Sequence, residues 1–372
     1  MIKILGPNDP ALQALKVSIE RNPSIESELT IIEWADYRAK LDGTLASATA
    51  EFDAVCIPGH IWLPQLANDR LLQPFEPLHA KMNANILRSY DPADIFQSIQ
   101  LECQFGGRQY VLPLFTDGHI VFYRGDLVSL PAVVNPSEWP KHLQGHKLPA
   151  GMSAFAMKAH ASEILLDFLP TFWDLGGELW SEDGKTLFNS PQAVKALEHY
   201  TSLRNFCAAD TDQYGNGEIV EAITKGKAAI VASWGGQAAA IFDPHANSHA
   251  ADMRTAALRN AWNATWGVSI PANVEAERAV QTLETLMSLM GKDGDLLVTE
   301  IAGSPVRRSS YSDAEQAKYP WLGSQRALLE SCRILPTDPA FAAYLGPLYS
   351  EVYNAFTGAK TAAQALASAS KP

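Results

Sequence analysis

The strongest constraint on the fold is an alternation of strand-like and helix-like segments in the first 71 residues. Short β-branched and apolar runs alternate with segments whose apolar side chains recur at helical spacing. The strands are expected at residues 3–5, 29–33 and 53–57, and the helices begin near residues 10, 36 and 61. A βαβαβα order predicts a parallel, doubly wound sheet with helices on both faces.

Two loops of this sheet are candidate binding loops. Ligands bind such sheets at the carboxyl ends of the strands, which selects residues 6–9 and 58–62. Asn8 and Asp9 are helix caps first and ligand contacts second, because either residue followed by Pro10 is typical of a helix N-terminus. His60 and Trp62 are loop-borne binding candidates. The alternatives are a surface histidine and a tryptophan that packs the start of its helix.

Residues 108–124 have two interpretations. The sequence RQYVLPLFTDGHIVFYR contains two strand-like runs, at 109–114 and 119–123, around a polar centre. Composition alone favours a β-hairpin with a turn at residues 115–118. The alternative is a crossing from one α/β lobe into another, which leaves Thr116 and Asp117 exposed to a ligand.

Chain length, net charge, cysteine spacing and apolar runs limit the fold and the function of the chain. A chain of 372 residues exceeds what one core usually supports, so two lobes are expected. The net charge is 29 − 41 = −12 and no basic run exists, which argues against nucleic-acid binding. The four cysteines have no metal-type spacing and suit buried thiols, although a disulfide stays open. No apolar run is long enough to span a bilayer, and no signal peptide is visible.

The rest of the chain mixes both signals. Helices are expected at about 138–143, 162–175 (interrupted at Pro170), 190–206 and 218–225, followed by a buried strand at 228–233. A strand at 266–270 leads to a strongly amphipathic helix from residue 276, and the tail is helical with a stop at Gly358. His245 and His249 lie four residues apart, but Pro244 and the missing glutamate of a zinc motif favour a surface loop.

The ordered set of these segments resembles the ABC-transporter solute-binding proteins that include maltose-binding protein. Residues 53–74 (DAVCIPGHIWLPQLANDRLLQP) are similar to that family's strand, ligand loop and helix end. Residues 226–236 (GKAAIVASWGG) resemble its strand ending in a ligand-stacking tryptophan. Further resemblance lies in residues 266–277 with the following helix, 303–308 and 358–369. The family's crossover motif is matched by Gly107, Tyr110, Pro113, Asp117 and Tyr123, with Val111 in place of the usual glycine.

The resemblance implies a type II periplasmic-binding-protein fold. Two α/β lobes are joined by three crossing segments, near residues 114–118, 264–268 and 305–309, with the ligand cleft between them. One lobe is expected to combine residues 1–115 with about 267–305. The other combines about 119–264 with about 309–372. The resemblance also implies a periplasmic or extracytoplasmic location with the leader removed, a membrane permease as partner, and action as a monomer.

The resemblance and the chemistry of sugars together select the site residues. Hydroxyls favour carboxylates, whereas the C–H face of a sugar ring favours an aromatic plane. Asp117 is the best hydroxyl acceptor, with Thr116 as its companion, and its alternative is a turn residue bonded to its own backbone. Trp234 before Gly235 is the main stacking candidate, and its alternative is a core tryptophan. Trp173 and Trp266 are further stacking candidates, and Arg307 could bind a hydroxyl or an anion or be a solvated surface charge.

The sequence therefore predicts a substrate-binding protein that captures a carbohydrate or sugar derivative by hinge closure. No cofactor, no metal and no catalytic residues are expected, because nucleophile-elbow, P-loop and dinucleotide motifs are absent. Two alternatives stay open. One keeps the fold but binds an anionic polyol such as a glycerol phosphate or a sulfonated sugar, and the other is a sugar-acting enzyme that uses Asp117.

Overall fold

The computed structural model describes residues 1–371; Pro372, the last position of the expected second lobe, lies outside them. Up to residue 124 the alternation of strands and helices follows the prediction, with short helices added after the third strand. The elements are β1 (Ile2–Pro7), α1 (Pro10–Arg21), β2 (Ser27–Ile32), α2 (Trp34–Ala46), β3 (Ala54–Pro58), α3 (Gly59–Asn68), α4 (Glu76–His79), α5 (Ala84–Tyr90), α6 (Gln97–Glu102), β4 (Gln104–Phe105), β5 (Arg108–Gln109) and β6 (Leu112–Arg124).

The middle of the chain is richer in helices. Its elements are β7 (Val133–Val134), α7 (Trp139–Leu143), β8 (Ser153–Ala156), α8 (Ile164–Asp174), α9 (Pro191–Ser202), α10 (Asn216–Thr224), β9 (Ala228–Trp234), α11 (Ala238–Phe242) and β10 (Met253–Leu258). The last part returns to one strand and then continues in helices. It contains β11 (Asn263–Ser269), α12 (Ala276–Leu289), α13 (Lys292–Ile301), α14 (Asp313–Lys318), α15 (Leu322–Ser331), α16 (Ala342–Phe356) and α17 (Ala362–Ala369).

These elements form two units. The first unit combines Met1–Asp117 with Asn263–Glu315, and the second combines Gly118–Trp262 with the chain from Gln316 onward. The chain therefore passes three times from one unit to the other. The segment 305–309, where the third passage was expected, belongs to the first unit. The carboxylate of Asp295 holds it there by accepting hydrogen bonds from the backbone N–H groups of Val306 (2.8 Å) and Arg307 (3.0 Å).

The sheet of the first unit has the strand order β2-β1-β3-β11, with β6 next to β11. β1 pairs in parallel with both β2 and β3, which confirms the predicted parallel arrangement, and β11 is antiparallel to β3. α1 begins where the cap signal places it. The side chain of Asp9 accepts a hydrogen bond of 2.8 Å from the amide of Ala11, and Leu12 and Leu15 are buried.

β6 is one continuous strand of 13 residues, so the hairpin interpretation of residues 108–124 is wrong. The division between the two units falls inside this strand, between Asp117 and Gly118. In the second unit a side chain at position 118 would meet Leu328 at 2.8 Å and the carbonyl of Trp262 at 2.9 Å. Glycine is needed there because the strand is closely covered, not because a turn requires it.

The second unit contains a mixed sheet in the order β8-β9-β6-β10-β7. β8 and β9 are parallel, whereas β6 is antiparallel to both β9 and β10. α8 was expected to be interrupted at Pro170, but that residue lies inside one helix. Pro170 has no amide proton for the carbonyl of Leu166, and the indole N–H of Trp262 donates to that carbonyl instead, at 3.1 Å. The substitute donor keeps the buried helix continuous.

The cysteines, the helix lengths and the two neighbouring histidines were checked against the sequence expectations. All four cysteines are free thiols, with Cys56 and Cys103 buried. Within residues 1–371, none of the helices has the length and apolar character that a bilayer crossing requires. His245 and His249 lie in turns between α11 and β10, as the surface-loop interpretation predicted.

Candidate functional site

Polar and aromatic side chains collect at one edge of the first unit's sheet. Asn8 and Asp9 follow β1, Trp34 follows β2, and His60 and Trp62 lie in the first turn of α3, immediately after β3. These three strands are parallel, so their carboxyl ends lie at the same edge. Trp266 joins them because it pairs with Pro58, at the end of β3, in the antiparallel register of β11.

Four rings at this edge form an aromatic cluster, defined here as Trp34, Trp62, Trp266 and Phe115. Trp34 and Trp62 are nearly parallel, with ring centroids 6.0 Å apart. Trp266 stands edge-on to Trp34 (5.4 Å) and to Trp62 (6.2 Å), and it is stacked with Phe115 at 5.9 Å. Such a cluster offers the apolar planes that sugar-ring recognition uses.

Asn8 and Asp9 are bonded within their own unit. The amide of Asn8 donates to the carboxylate of Glu33 at 3.0 Å, and both residues are exposed at the edge of the sheet. Asp9 is occupied as the cap of α1, and burial raises the pKa of its carboxyl to about 6. Asn8 and Glu33 together are the more accessible polar pair.

His60 is a half-buried neighbour of the aromatic cluster. Its Nδ1 lies 3.4 Å from the carbonyl oxygen of Thr265, and its ring is edge-on to Trp266 at 6.5 Å. Burial lowers the pKa of His60 to about 4, so the imidazole is neutral at physiological pH. A neutral ring can donate one hydrogen bond and accept another.

Thr116 and Asp117 differ in accessibility. Thr116 is fully buried, and its hydroxyl donates to the side-chain carbonyl of Asn263. This placement argues against the direct ligand contact expected of Thr116. Asp117 is half-buried at the end of the first unit's part of β6, so its carboxyl is more accessible than the hydroxyl of Thr116.

Arg307 was expected to contact a ligand or solvent, but it is fully buried. Its guanidinium donates to the backbone carbonyls of Tyr90 (2.7 Å), Asp91 (3.3 Å) and Met290 (3.2 Å). It also lies 4.3 Å from the ring centroid of Tyr90. The guanidinium joins the ends of α5 and α12 to the segment 305–309 of the first unit, so both expected roles are replaced by a structural one.

In the second unit, Trp234 lies at the carboxyl end of β9, opposite His119 in the antiparallel register with β6. Trp234 is half-buried, which leaves part of its ring accessible, and Gly235 behind it is buried. The ring of His119 packs edge-on against Trp234 at 4.4 Å, and Trp262 does so at 5.2 Å. The packing holds the indole in one orientation.

A buried charged group lies against the same ring. The ammonium of Lys158 is 4.1 Å from the centroid of Trp234 and 3.9 Å from the carboxylate of Glu163. Asp167 accepts a hydrogen bond of 2.8 Å from Tyr200 and lies 3.7 Å from Nδ1 of His119. Burial raises the pKa of Asp167 to about 6, while burial and Lys158 hold the pKa of His119 well below its usual range.

Trp173 is not part of this arrangement. It is buried near the end of α8, with the guanidinium of Arg333 5.1 Å from its ring centroid. Arg333 is paired with Glu178 at 2.7 Å, and these residues line a cleft of about 440 Å³ together with Trp180 and Asp338. The cleft lies within the second unit.

The structure thus gathers most of the expected residues into two separate sets. Asn8, Asp9, His60, Trp62 and Trp266 lie together in the first unit, and Trp234 with Gly235 lies in the second. Sequence reasoning missed Trp34, although it follows β2 just as His60 and Trp62 follow β3. It also missed the buried group His119, Lys158 and Asp167, which no local motif marks. The described residues contain no group of three or more His, Cys, Asp or Glu side chains that could hold a metal ion.

Aromatic and polar side chains at the carboxyl ends of parallel strands, in each of two α/β units, are typical of a protein that binds a small solute. Residues 7–286 match the family of bacterial extracellular solute-binding proteins, and the chain belongs to that family.

Relatives and solved structures agree with this assignment. The mannitol-binding protein of Pseudomonas aeruginosa is 24% identical over 396 residues, which cover 95% of this chain and 87% of that protein. Binding proteins of Brucella abortus are 23% identical over 200 residues, and the match covers 52% of this chain and 46% of theirs. The chain therefore spans about half the length of these Brucella relatives.

Two solved structures cover almost the whole chain. An ABC-transporter solute-binding protein from Agrobacterium radiobacter K84, in complex with ribitol, matches with a TM-score of 0.83 and 19% identity, covering 99% of this chain and 96% of that one. Maltose-bound MalE3 of T. maritima matches with a TM-score of 0.82 and 19% identity, covering 100% and 98%. These likenesses confirm the expected type II periplasmic-binding-protein fold.

Proposed function

We propose that this chain is the substrate-binding protein of an ABC importer and captures a carbohydrate or sugar derivative outside the cytoplasmic membrane. The observation that carries the proposal is the pairing of aromatic planes with exposed hydroxyl-binding groups at the strand ends of the first unit. The half-buried indole of Trp234, at the end of β9 in the second unit, adds a further aromatic plane. Family membership supports it, as do the relatives and solved structures whose names include mannitol, ribitol and maltose.

In this proposal different side chains recognise the hydroxyls and the apolar carbons of the ligand. Hydroxyls of the ligand donate hydrogen bonds to the carboxylates of Asp117 and Glu33, and the amide of Asn8 can donate or accept. The first-unit cluster and Trp234 contact apolar ring or chain carbons of the ligand. Ligand binding favours a closed state by hinge closure, and the membrane permease recognises that state. The protein acts as a periplasmic or extracytoplasmic monomer, without a cofactor and without changing its ligand.

The anionic alternative loses its main support. It depended on Arg307 as an accessible cation, and that residue is fully buried among backbone carbonyls. A neutral sugar or polyol therefore fits the accessible side chains of the first-unit set better.

The proposal is tested by calorimetry and thermal unfolding with a panel of probes. The panel contains D-mannitol, ribitol, D-tagatose, maltose and other neutral disaccharides, with sn-glycerol 3-phosphate as the anionic member. A true ligand at 100 times its Kd raises the free energy of unfolding by about 2.7 kcal/mol. NMR of the ligand after long incubation is expected to show it unchanged. Conversion of a sugar to product, or tight binding of the anionic probe alone, would contradict the proposal.

A further inference from the structure

Trp34 is the most exposed ring of the first-unit aromatic cluster. Its exposed fraction is 53%, and among the large apolar side chains that are exposed in residues 1–371 it is the only aromatic one. The ring is nevertheless fixed by packing, because it is stacked on Trp62 and meets the edge of Trp266. An indole that is ordered and yet half open to solvent is available to a ligand at little cost in conformational entropy.

Trp62 is less available than Trp34. The guanidinium of Arg38 lies 4.6 Å from the centroid of its ring, and Asp42 holds Arg38 there through two hydrogen bonds of 2.9 and 3.0 Å. Tyr37, which is fully buried, stacks near the same ring at 6.5 Å. Trp62 is therefore covered by Arg38 and Tyr37 and packs against Trp34, whereas Trp34 presents the solvent-exposed aromatic surface.

Hydroxyl-binding groups are held close to the start of α2, where Trp34 lies, because the backbone amide of Asn8 donates to the carbonyl of Ile32 at 2.8 Å. Glu33 immediately precedes Trp34, and its carboxylate accepts the amide hydrogen of Asn8 while both residues remain exposed. An amide and a carboxylate at the strand ends that also carry an exposed aromatic plane match a cyclic sugar. Such a ring has one C–H face and a rim of hydroxyls. An open-chain alditol carries a hydroxyl on every carbon and offers no comparable flat apolar face.

We propose that Trp34, with Glu33 and Asn8 beside it, forms a subsite for one cyclic sugar residue, so that the ligand of this protein is a cyclic carbohydrate rather than an open-chain polyol. The inference rests on the proposed function and narrows its ligand class. It assigns the stacking role in the first unit to Trp34, which the sequence analysis did not select.

The test compares cyclic and open-chain probes on the full chain by isothermal titration calorimetry. The cyclic probes are maltose, trehalose, cellobiose and methyl α-D-glucopyranoside, and the open-chain probes are D-mannitol and ribitol. The wild type is expected to bind at least one cyclic probe more tightly than either alditol. Trp34→Ala is expected to weaken that binding by about tenfold or more, and Trp34→Phe to restore much of it.

Leu101→Ala is the control, because Leu101 is a large exposed apolar side chain of the same unit outside the cluster. Its affinities are expected to equal those of the wild type, and circular dichroism checks that every variant is folded. Tighter binding of an alditol, or an unchanged cyclic-sugar affinity in folded Trp34→Ala, would overturn the subsite while leaving the proposed function intact. Binding of none of the six probes would overturn the subsite, and if the wider panel also failed, the proposed function with it.

Discussion

The hydroxyl of Thr116 donates a hydrogen bond to the side-chain carbonyl of Asn263, 147 residues further along the chain. The amide of Asn263 in turn donates to the carboxyl oxygen Oε2 of Glu102 at 2.7 Å. The same oxygen accepts from the backbone amide and the hydroxyl of Thr265, at 2.9 and 2.6 Å. This buried network ties α6, β6 and β11 together within the first unit. It lies next to the position after Asp117 where the chain leaves that unit and the position at Asn263 where it returns.

Glu102 makes the stability of this network depend on pH. Burial raises the pKa of its carboxyl from 4.5 to about 8. Between these two pH values the carboxyl is protonated in the folded protein and ionised in the unfolded chain. The contribution of Glu102 is therefore fully favourable below pH 4.5, and it is lost as the pH rises towards 8. Glu102→Gln keeps the shape of the neutral acid and is expected to reduce the fall in unfolding free energy between pH 5 and pH 8.

Chemical denaturation at several pH values measures this effect. Glu20→Gln, on the exposed surface of α1, is the matched control and is expected to leave the wild-type pH profile in place. A Glu102→Gln profile parallel to that of the wild type would show that Glu102 does not carry a proton in the folded protein.

Gly267 lies in β11 where the chain at Val111 and Leu112 leaves no room for a side chain. A methyl group at this position would lie 2.3 Å from the carbonyl oxygen of Leu112 and 2.5 Å from a methyl carbon of Val111. Gly267→Ala is therefore expected to lower the free energy of unfolding by about 1–3 kcal/mol or more, because strand backbone must move. Gly43→Ala is the control: position 43 in α2 has open space around it, and alanine is expected to stabilise the helix by about 0.5–1 kcal/mol. Equal thermal-unfolding midpoints for the two variants would contradict this account of Gly267.

Local signals in the sequence were sufficient for the first three strands and helices of the first unit and for the parallel order of those strands. The Asp9-Pro10 cap, the helical stripe of α1 and the apolar run of β3 each depend on neighbours in the chain, and all were found where predicted. The continuity of β6 and α8 depends instead on distant partners. β6 is paired along its length by other strands, and α8 passes Pro170 because Trp262 supplies the missing donor.

The candidate site shows the same limit. Residues that follow a strand directly, such as His60 and Trp62, could be selected from the sequence because strand ends are local features. The burial of Arg307 could not be predicted from its neighbours in the sequence. Two of its three carbonyl partners lie at the end of α5, 217 and 216 residues before it, and the third lies at the end of α12, 17 residues before it. The position of Lys158 against Trp234 likewise joins two segments that share no sequence motif.

Arg307 is expected to be essential for the stability of the first unit. Arg307→Ala removes three hydrogen bonds to backbone carbonyls and leaves those of Tyr90 and Met290 buried without this donor. The expected loss is at least about 3 kcal/mol of unfolding free energy, because buried groups then lack partners for which they were desolvated. Urea denaturation measures it, and the neighbouring exposed Arg308→Ala serves as control. A ligand affinity that is lost while stability is unchanged would return Arg307 to the binding site.

Substitutions of two tryptophans that pack together in the second unit are expected to have different effects, one on ligand affinity and the other on the free energy of unfolding. Trp234 is half-buried at the end of β9, whereas Trp262 is fully buried and donates to the Leu166 carbonyl that Pro170 leaves without an amide. Trp262→Phe is expected to cost about 1–3 kcal/mol of unfolding free energy, because that carbonyl loses its donor, with ligand affinity nearly unchanged. Trp234→Ala is expected to weaken binding of the tightest sugar probe by about tenfold or more, and Trp234→Phe by less. Urea denaturation and calorimetry on the same preparations distinguish the two effects. A Trp234→Ala variant with wild-type affinity would show that the accessible face of this ring does not contact the ligand.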